Sequence, residues 1–194
     1  MAEAADPSPN PSSRRRDWDG AAAVIAAFVG LLALAVSAYT AQVQREQVRA
    51  QVWTRLFFAN SDVDRTLMVM NKGVGPASIQ SVRIYVDGKA QPDWAHVYAA
   101  LGLPMPEQRV DSTLNGIVVA ANERINYLQF AHADDWAAFK SRAGRVKLRA
   151  CYCSVLDECL VFDERAAHSG HGAVSSQVTP AAKCDRVEAD EFND

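Results

Sequence analysis

The sequence predicts a mainly β protein carried on a single N-terminal transmembrane helix. Residues 20–39 form an uncharged apolar run, short β-prone segments alternate with turn residues over 56–162, and the segment joining the two is free of Gly and Pro.

From Ala21 to Tyr39 no side chain carries a formal charge. At about 1.5 Å per residue the run covers roughly 30 Å, the hydrocarbon thickness of a bilayer. Only a helix satisfies its own backbone hydrogen bonds there. A soluble core helix would show a polar stripe, and this run has none before Ser37. A cleaved signal peptide is the rival reading, with Arg14, Arg15 and Arg16 as n-region and Val36-Ser37-Ala38 as cleavage site. The run exceeds an h-region of roughly 7–15 residues, and helix-forming sequence continues through the cut, so an uncleaved anchor is preferred. Asp17, Trp18 and Asp19 argue against a twin-arginine signal. Trp18 and Tyr39 bracket the run as interfacial aromatics do.

Arg14, Arg15 and Arg16 lie close to the N-terminal end of the run, whereas Arg45, Arg49 and Arg55 lie further from the other end. The positive-inside rule therefore places the N-terminus in the cytoplasm. All four cysteines, Cys151, Cys153, Cys159 and Cys184, follow the span, and an even number suits an oxidising compartment. The expectation is a single-pass protein of a bacterial inner membrane with its C-terminal domain in the periplasm. A net charge of −3 and the lack of a basic stripe argue against nucleic acid as a partner.

The elements follow in order. Residues 1–19 are Pro-, Ser- and Ala-rich, with Pro7, Pro9 and Pro11 in alternation, and read as a disordered cytoplasmic tail. Residues 40–55 are rich in Gln, Arg and Ala, good helix formers, and read as a helical stalk too short to establish a heptad seam. Strands are expected over 56–59, 65–71, 79–86, 117–120, 124–130, 145–153 and 159–162. Asn71, Gly73, Gly75 and Pro76 mark a structural turn, its glycines permitting positive φ and Pro76 setting φ on the way out. Asp87-Gly88 is a tight-turn signal. Trp94, Val97, Tyr98 and Leu101 place a helix over 92–101. Residues 134–140 read as a helical turn, its acids at the dipole-favoured end. Residues 102–110, with Pro104 and Pro106, read as a loop. Short strands at this spacing argue for an immunoglobulin-like β-sandwich over 56–165 with one or two short helices. Residues 166–194 read as a mostly flexible tail.

These features together carry a resemblance. They are the single span, the Gln/Arg-rich stalk running into Trp53, Val69-Met70-Asn71-Lys72-Gly73-Val74-Gly75-Pro76-Ala77, the segment near Trp94, and Cys151-Tyr152-Cys153-Ser154-Val155 leading to Cys159. Over roughly residues 20–162 the chain resembles a group of bacterial membrane-anchored proteins with one N-terminal transmembrane helix and a small extracytoplasmic β-sandwich. Leu160 stands where the group's pattern leads one to expect an aromatic. No activity is established for the group, so the resemblance implies architecture and no chemistry.

The cysteines are the one constellation with chemical content. Cys153 and Cys159 flank a short turn and meet the distance requirement for a disulfide across a hairpin. Cys151 projects from the same strand face as Cys153, and Cys184 is its available partner. Free or partly paired thiols are the second reading. Zinc ranks last, because the spacing lacks paired Cys-x2-4-Cys knuckles. His168 and His171 are flanked by glycines that argue against fixed chelation. Adjacent Asp134 and Asp135 point apart on a helix. Gly73-x-Gly75 has no Lys-Ser/Thr after it and is not a phosphate loop.

No catalytic, cofactor-binding or metal residue is assigned, and no cofactor is expected. The leading expectation is a membrane-anchored extracytoplasmic protein-interaction module without catalytic activity, its partner another membrane or periplasmic protein or a second copy of itself. The alternative is a small-ligand-binding or sensing domain reached through loops 102–110 and 132–143; a hydrolase or redox enzyme comes third. A deep pocket with convergent polar groups favours the ligand reading, and a flat exposed apolar patch the interaction reading.

Overall fold

The computed structural model describes residues 12–165 and 178–193. Two compact units divide between Val48 and Arg49. The first is built on α1 (Ser12–Gln51). This helix begins inside the stretch expected to be disordered, while residues 1–11 lie outside the described residues. From Gly20 onward it is long and apolar enough to cross a membrane. Its large side chains, Val24, Phe28, Leu31 and Leu34 among them, are exposed, so nothing among the described residues serves as their core. The hydroxyls of Ser37 and Thr40 donate back to Ala33 O at 2.8 Å and Val36 O at 2.9 Å. The polar atoms that interrupt the run are thus satisfied within the helix, as a hydrocarbon surround requires.

The second unit begins at Arg49. It contains β1 (Leu56–Ser61), β2 (Thr66–Asn71), β3 (Ala77–Val86), β4 (Lys89–Gln91), α2 (Trp94–Leu101), β5 (Arg109–Asp111), β6 (Val118–Val119), β7 (Arg124–Phe130), α3 (Ala133–Lys140), β8 (Val146–Cys153), β9 (Cys159–Asp163) and β10 (Val178–Ala181). They form two antiparallel sheets. One has the order β1-β2-β7-β5; the other has β10-β9-β8-β3-β4, with β6 beside β3. A single apolar core joins the sheets, drawing Phe58, Val69 and Leu128 from the first, Ile79, Ile84 and Tyr152 from the second, and Trp94 and Phe139 from the helices.

Local chemistry accounts for the connections. Asp87 and Gly88 both have positive φ, 49° and 82°, the mirror-image turn that matches strand twist. The Asp93 carboxylate caps α2 by accepting from the backbone N–H of His96 at 2.8 Å, and that bond holds the carboxyl below the usual range. Gly102 ends the helix at φ 67°.

β2 and β3 lie in different sheets, so the turn at Asn71, Gly73, Gly75 and Pro76 is an arch from one sheet to the other. Two expectations are corrected. Residues 102–110 were expected to be a loop throughout, yet β5 starts at Arg109 and adds an edge to β7. Of the stretch expected to be a mostly flexible tail, 166–177 and 194 lie outside the described residues and 178–193 are held: β10 pairs with β9, Cys184 is bonded to Cys151, and Glu191 and Phe192 are buried. In sequence those residues show no periodicity; their order comes from β9, Cys151 and β3. Between its partners β6 and β4, the free edge of β3 accepts Phe192 N–H at Val82 O, 2.9 Å. The Glu191 carboxylate in turn accepts from Ser81 Oγ at 2.7 Å, Val82 N at 3.2 Å and Arg83 Nε at 3.3 Å.

Candidate functional site: a cavity between the sheets

A cavity of about 140 Å³ opens between the two sheets. Phe58 of β1, Leu67 of β2, Ile84 of β3, Leu148 of β8 and Phe139 of α3 give it apolar walls. These are inward positions of alternating strands, so the pleat that builds the core also builds the cavity. Asn60, Trp94, Tyr127 and Glu164 bring polar groups to its lining. The Trp94 indole Nε1 is itself fully buried and has no hydrogen-bond partner among the described residues. Tyr127 lines it beside the Glu164 carboxyl, and burial first, then that acid's charge, keeps the phenol protonated far above its ordinary range. Glu164 follows β9, accepts from Leu148 N at Oε2, 2.9 Å, and receives no hydrogen bond at Oε1 among the described residues. Burial pushes its carboxyl up, against the lowering effects of that backbone N–H and of Lys147.

The cavity combines apolar walls with an acid, a phenol and an amide, and so holds both hydrogen-bond donors and acceptors; among the described residues no Ser, Cys, Lys or His lines it. Of the two loops expected to reach a ligand, 132–143 contributes Phe139 and Ala143, whereas 102–110 contributes nothing to this cavity. Glu164 is the residue that sequence reasoning missed. It follows a strand of ordinary appearance, and only its backbone pairing with Leu148, Glu164 N to Leu148 O at 3.0 Å, turns it inward.

The turn residues Asn71, Gly73, Gly75 and Pro76 lie away from the cavity and form a clasp. Asn71 Nδ2 donates to Gly75 O at 2.8 Å and Val119 O at 3.0 Å; Oδ1 accepts from Gly73 N at 2.9 Å and Arg55 N at 3.3 Å. Trp53 O accepts from Val74 N and Gly75 N, and Arg55 O from Lys72 N. The arch thereby grips residues 52–55. Neither Gly73 nor Gly75 has positive φ. A Cβ at Gly73 would meet Trp53 O and come within 2.6 Å of Thr54 Cα; one at Gly75 would meet Val52 O and come within 2.6 Å of Val52 Cα. Close backbone approach is what requires glycine here.

The cysteine sulfurs lie at bonding distance in two pairs, Cys151–Cys184 at 2.05 Å and Cys153–Cys159 at 2.03 Å. Asp134 and Asp135 occupy the first turn of α3; Asp134 is exposed and Asp135 half-buried. His168 and His171 lie outside the described residues. No family model matches the chain, and no curated protein or solved structure matches it.

Proposed function

We propose that this protein is a membrane-anchored, extracytoplasmic binding domain for a small uncharged molecule, held in the cavity between its sheets. The observation that carries the reading is the cavity of about 140 Å³ at whose wall the Glu164 carboxyl has one oxygen without a hydrogen bond among the described residues. The volume is close to that of an apolar cavity known to hold benzene, about 150 Å³. The ligand class is therefore an aromatic or branched molecule of roughly six to eight non-hydrogen atoms. One hydroxyl on it would donate to the Glu164 carboxyl.

The sandwich is of the immunoglobulin type on this reading. β1-β2-β7-β5 corresponds to strands A-B-E-D, and β9-β8-β3-β4 to G-F-C-C′, with β10 added outside G. The N-terminus is cytoplasmic and the domain periplasmic, supported by the arginine asymmetry and by two cysteine pairs at bonding distance. The protein-interaction reading has less support. Trp53 and Val74 are exposed next to each other at the clasp, but two side chains fall well short of the roughly 800 Å² per partner of a standard interface.

Thermal unfolding of the detergent-solubilised full chain tests the proposal, with phenol, toluene and benzoate as probes. Phenol is expected to raise the midpoint, by about 1.4 kcal/mol of stabilisation at ten times its Kd and logarithmically beyond. Toluene should act more weakly and benzoate not at all. Ala143→Leu, which fills the cavity wall, should abolish the phenol effect. No shift from any probe in the wild-type chain overturns the proposal.

A further inference from the structure

The two cysteine pairs are not independent of one another. Cys153 Sγ, bonded to Cys159, also lies 3.6 Å from Cys184 Sγ. The sulfurs of Cys153, Cys159 and Cys184 all lie within 4.8 Å of one another. Cys151, the partner of Cys184, is the innermost of the four at 1% exposed. The other three border an open cleft of about 440 Å³ whose wall also carries Lys183 and Arg186. Asp157 lines the same cleft. Thiolate is the attacking form in disulfide exchange.

We propose that Cys153, Cys159 and Cys184 form a thiol–disulfide exchange site whose substrate is an external dithiol entering this cleft. One thiolate of the dithiol attacks Cys159 Sγ. A mixed disulfide forms, the Cys153–Cys159 bond breaks, and its electron pair leaves on Cys153 as a thiolate. The second thiol of the dithiol gives its proton to solvent and attacks the external sulfur of the mixed disulfide. The dithiol departs as a disulfide, and Cys159 leaves as a thiolate and takes up a proton. The Cys153 thiolate then attacks Cys184 Sγ across the 3.6 Å gap. Cys153–Cys184 forms, Cys151–Cys184 breaks, and Cys151 takes up a proton as a thiol. The dithiol has lost two electrons and two protons. The protein has gained them at Cys151 and Cys159 and keeps one disulfide.

The exchange moves the anchor of the C-terminal segment from Cys151 to Cys153, about 7 Å along β8 at the usual rise per residue. That segment carries Glu191 and Phe192, which close the edge of β3, so the site couples the redox state of a partner to the closure of the domain.

The test uses the oxidised full chain in detergent, titrated with dithiothreitol up to one equivalent. The reaction is quenched in acid, the thiols are blocked with a maleimide at low pH, and the unreduced peptides are mapped by mass. The expected product is a Cys153–Cys184 peptide with the label on Cys151 and Cys159. Stepwise loss of the two original bridges with no Cys153–Cys184 species overturns the proposal. Cys159→Ser gives a second readout without reductant, because it leaves Cys153 as a free thiol. Cys184 should then be found bonded to both Cys151 and Cys153. A single Cys151–Cys184 bond with Cys153 fully labelled overturns the proposal as well. The wild-type titration stands alone if that variant fails to fold.

Discussion

Asn71 and Glu164 are both polar side chains set among apolar ones, and they are treated in opposite ways. The Asn71 amide makes four hydrogen bonds to the chain, two through each end. Every one goes to a backbone group of residues 55–119, so the side chain ties β2, the arch, β6 and residue 55 together. The Glu164 side chain makes one among the described residues, to Leu148 N. A polar group whose partners all come from its own chain serves architecture. One left part-satisfied at a cavity wall keeps an atom that a ligand can pair. The clasp is satisfied by its own backbone, whereas the cavity acid is satisfied at one oxygen.

The sharpest way to break this contrast is at the clasp. Asn71→Ala leaves Gly75 O, Val119 O, Gly73 N and Arg55 N without the amide. We expect a loss on the order of 3–5 kcal/mol, a large part of a typical margin of roughly 5–15 kcal/mol. Chemical denaturation of the detergent-solubilised chain measures it. Asn71→Asp keeps the two acceptor contacts and loses both donors, so it should also destabilise. A loss below 1 kcal/mol in the alanine variant would mean that water replaces the amide and that the clasp is not structural.

Gly75→Ala tests the close approach itself. Its Cβ would collide with the backbone of Val52, and backbone gives way less readily than a side-chain tip. The expected cost is about 1–3 kcal/mol. Gly144→Ala is the control, since its added Cβ meets nothing within 4 Å; it should be close to neutral in the same denaturation series.

The clasp was partly legible in the sequence and the cavity was not, for a physical reason. Asn-x-Gly-x-Gly-Pro is a local pattern, so the turn could be placed, although its glycines serve close packing and not positive φ. The partner segment, residues 52–55, stands apart in sequence and could not be assigned to it. Strands β2, β3, β7, β8 and β9 follow from period-two alternation; β4, β5 and β10, each four residues or fewer, carry too little pattern. A cavity is set by how imperfectly two sheets fill the space between them. Phe58, Leu67, Ile84 and Leu148 would be written the same way in a solid core. Glu164 lies beside Asp163 and Arg165 and reads as surface until β8 is laid beside β9.

The smallest expected effect is the one that most directly sharpens the comparison. Burial raises the Glu164 pKa above its ordinary value of 4.5. A carboxyl raised in the folded state binds more protons there than in the unfolded chain between the two pKa values, so stability falls as pH rises through that window. It is highest below pH 4.5 on this account, and the deficit is complete once the folded-state carboxyl has ionised. Asp64, Asp87 and Asp93 act in the opposite sense. Hydrogen bonds from Arg124, Arg145 and His96 respectively lower their pKa values, and their contribution disappears in acid. Subtracting the wild-type pH profile from that of Glu164→Gln cancels those three groups and isolates the cavity acid. Gln keeps an acceptor for Leu148 N and cannot ionise. The variant is therefore expected to be more stable than wild type at pH 7, with the difference shrinking toward zero as pH falls to the ordinary carboxyl range. A difference that is flat with pH would show that Glu164 is solvated and that the cavity is open water. A variant less stable at pH 7 would show the carboxylate ionised and paired, and the site would then suit a cation in place of a neutral hydroxyl compound.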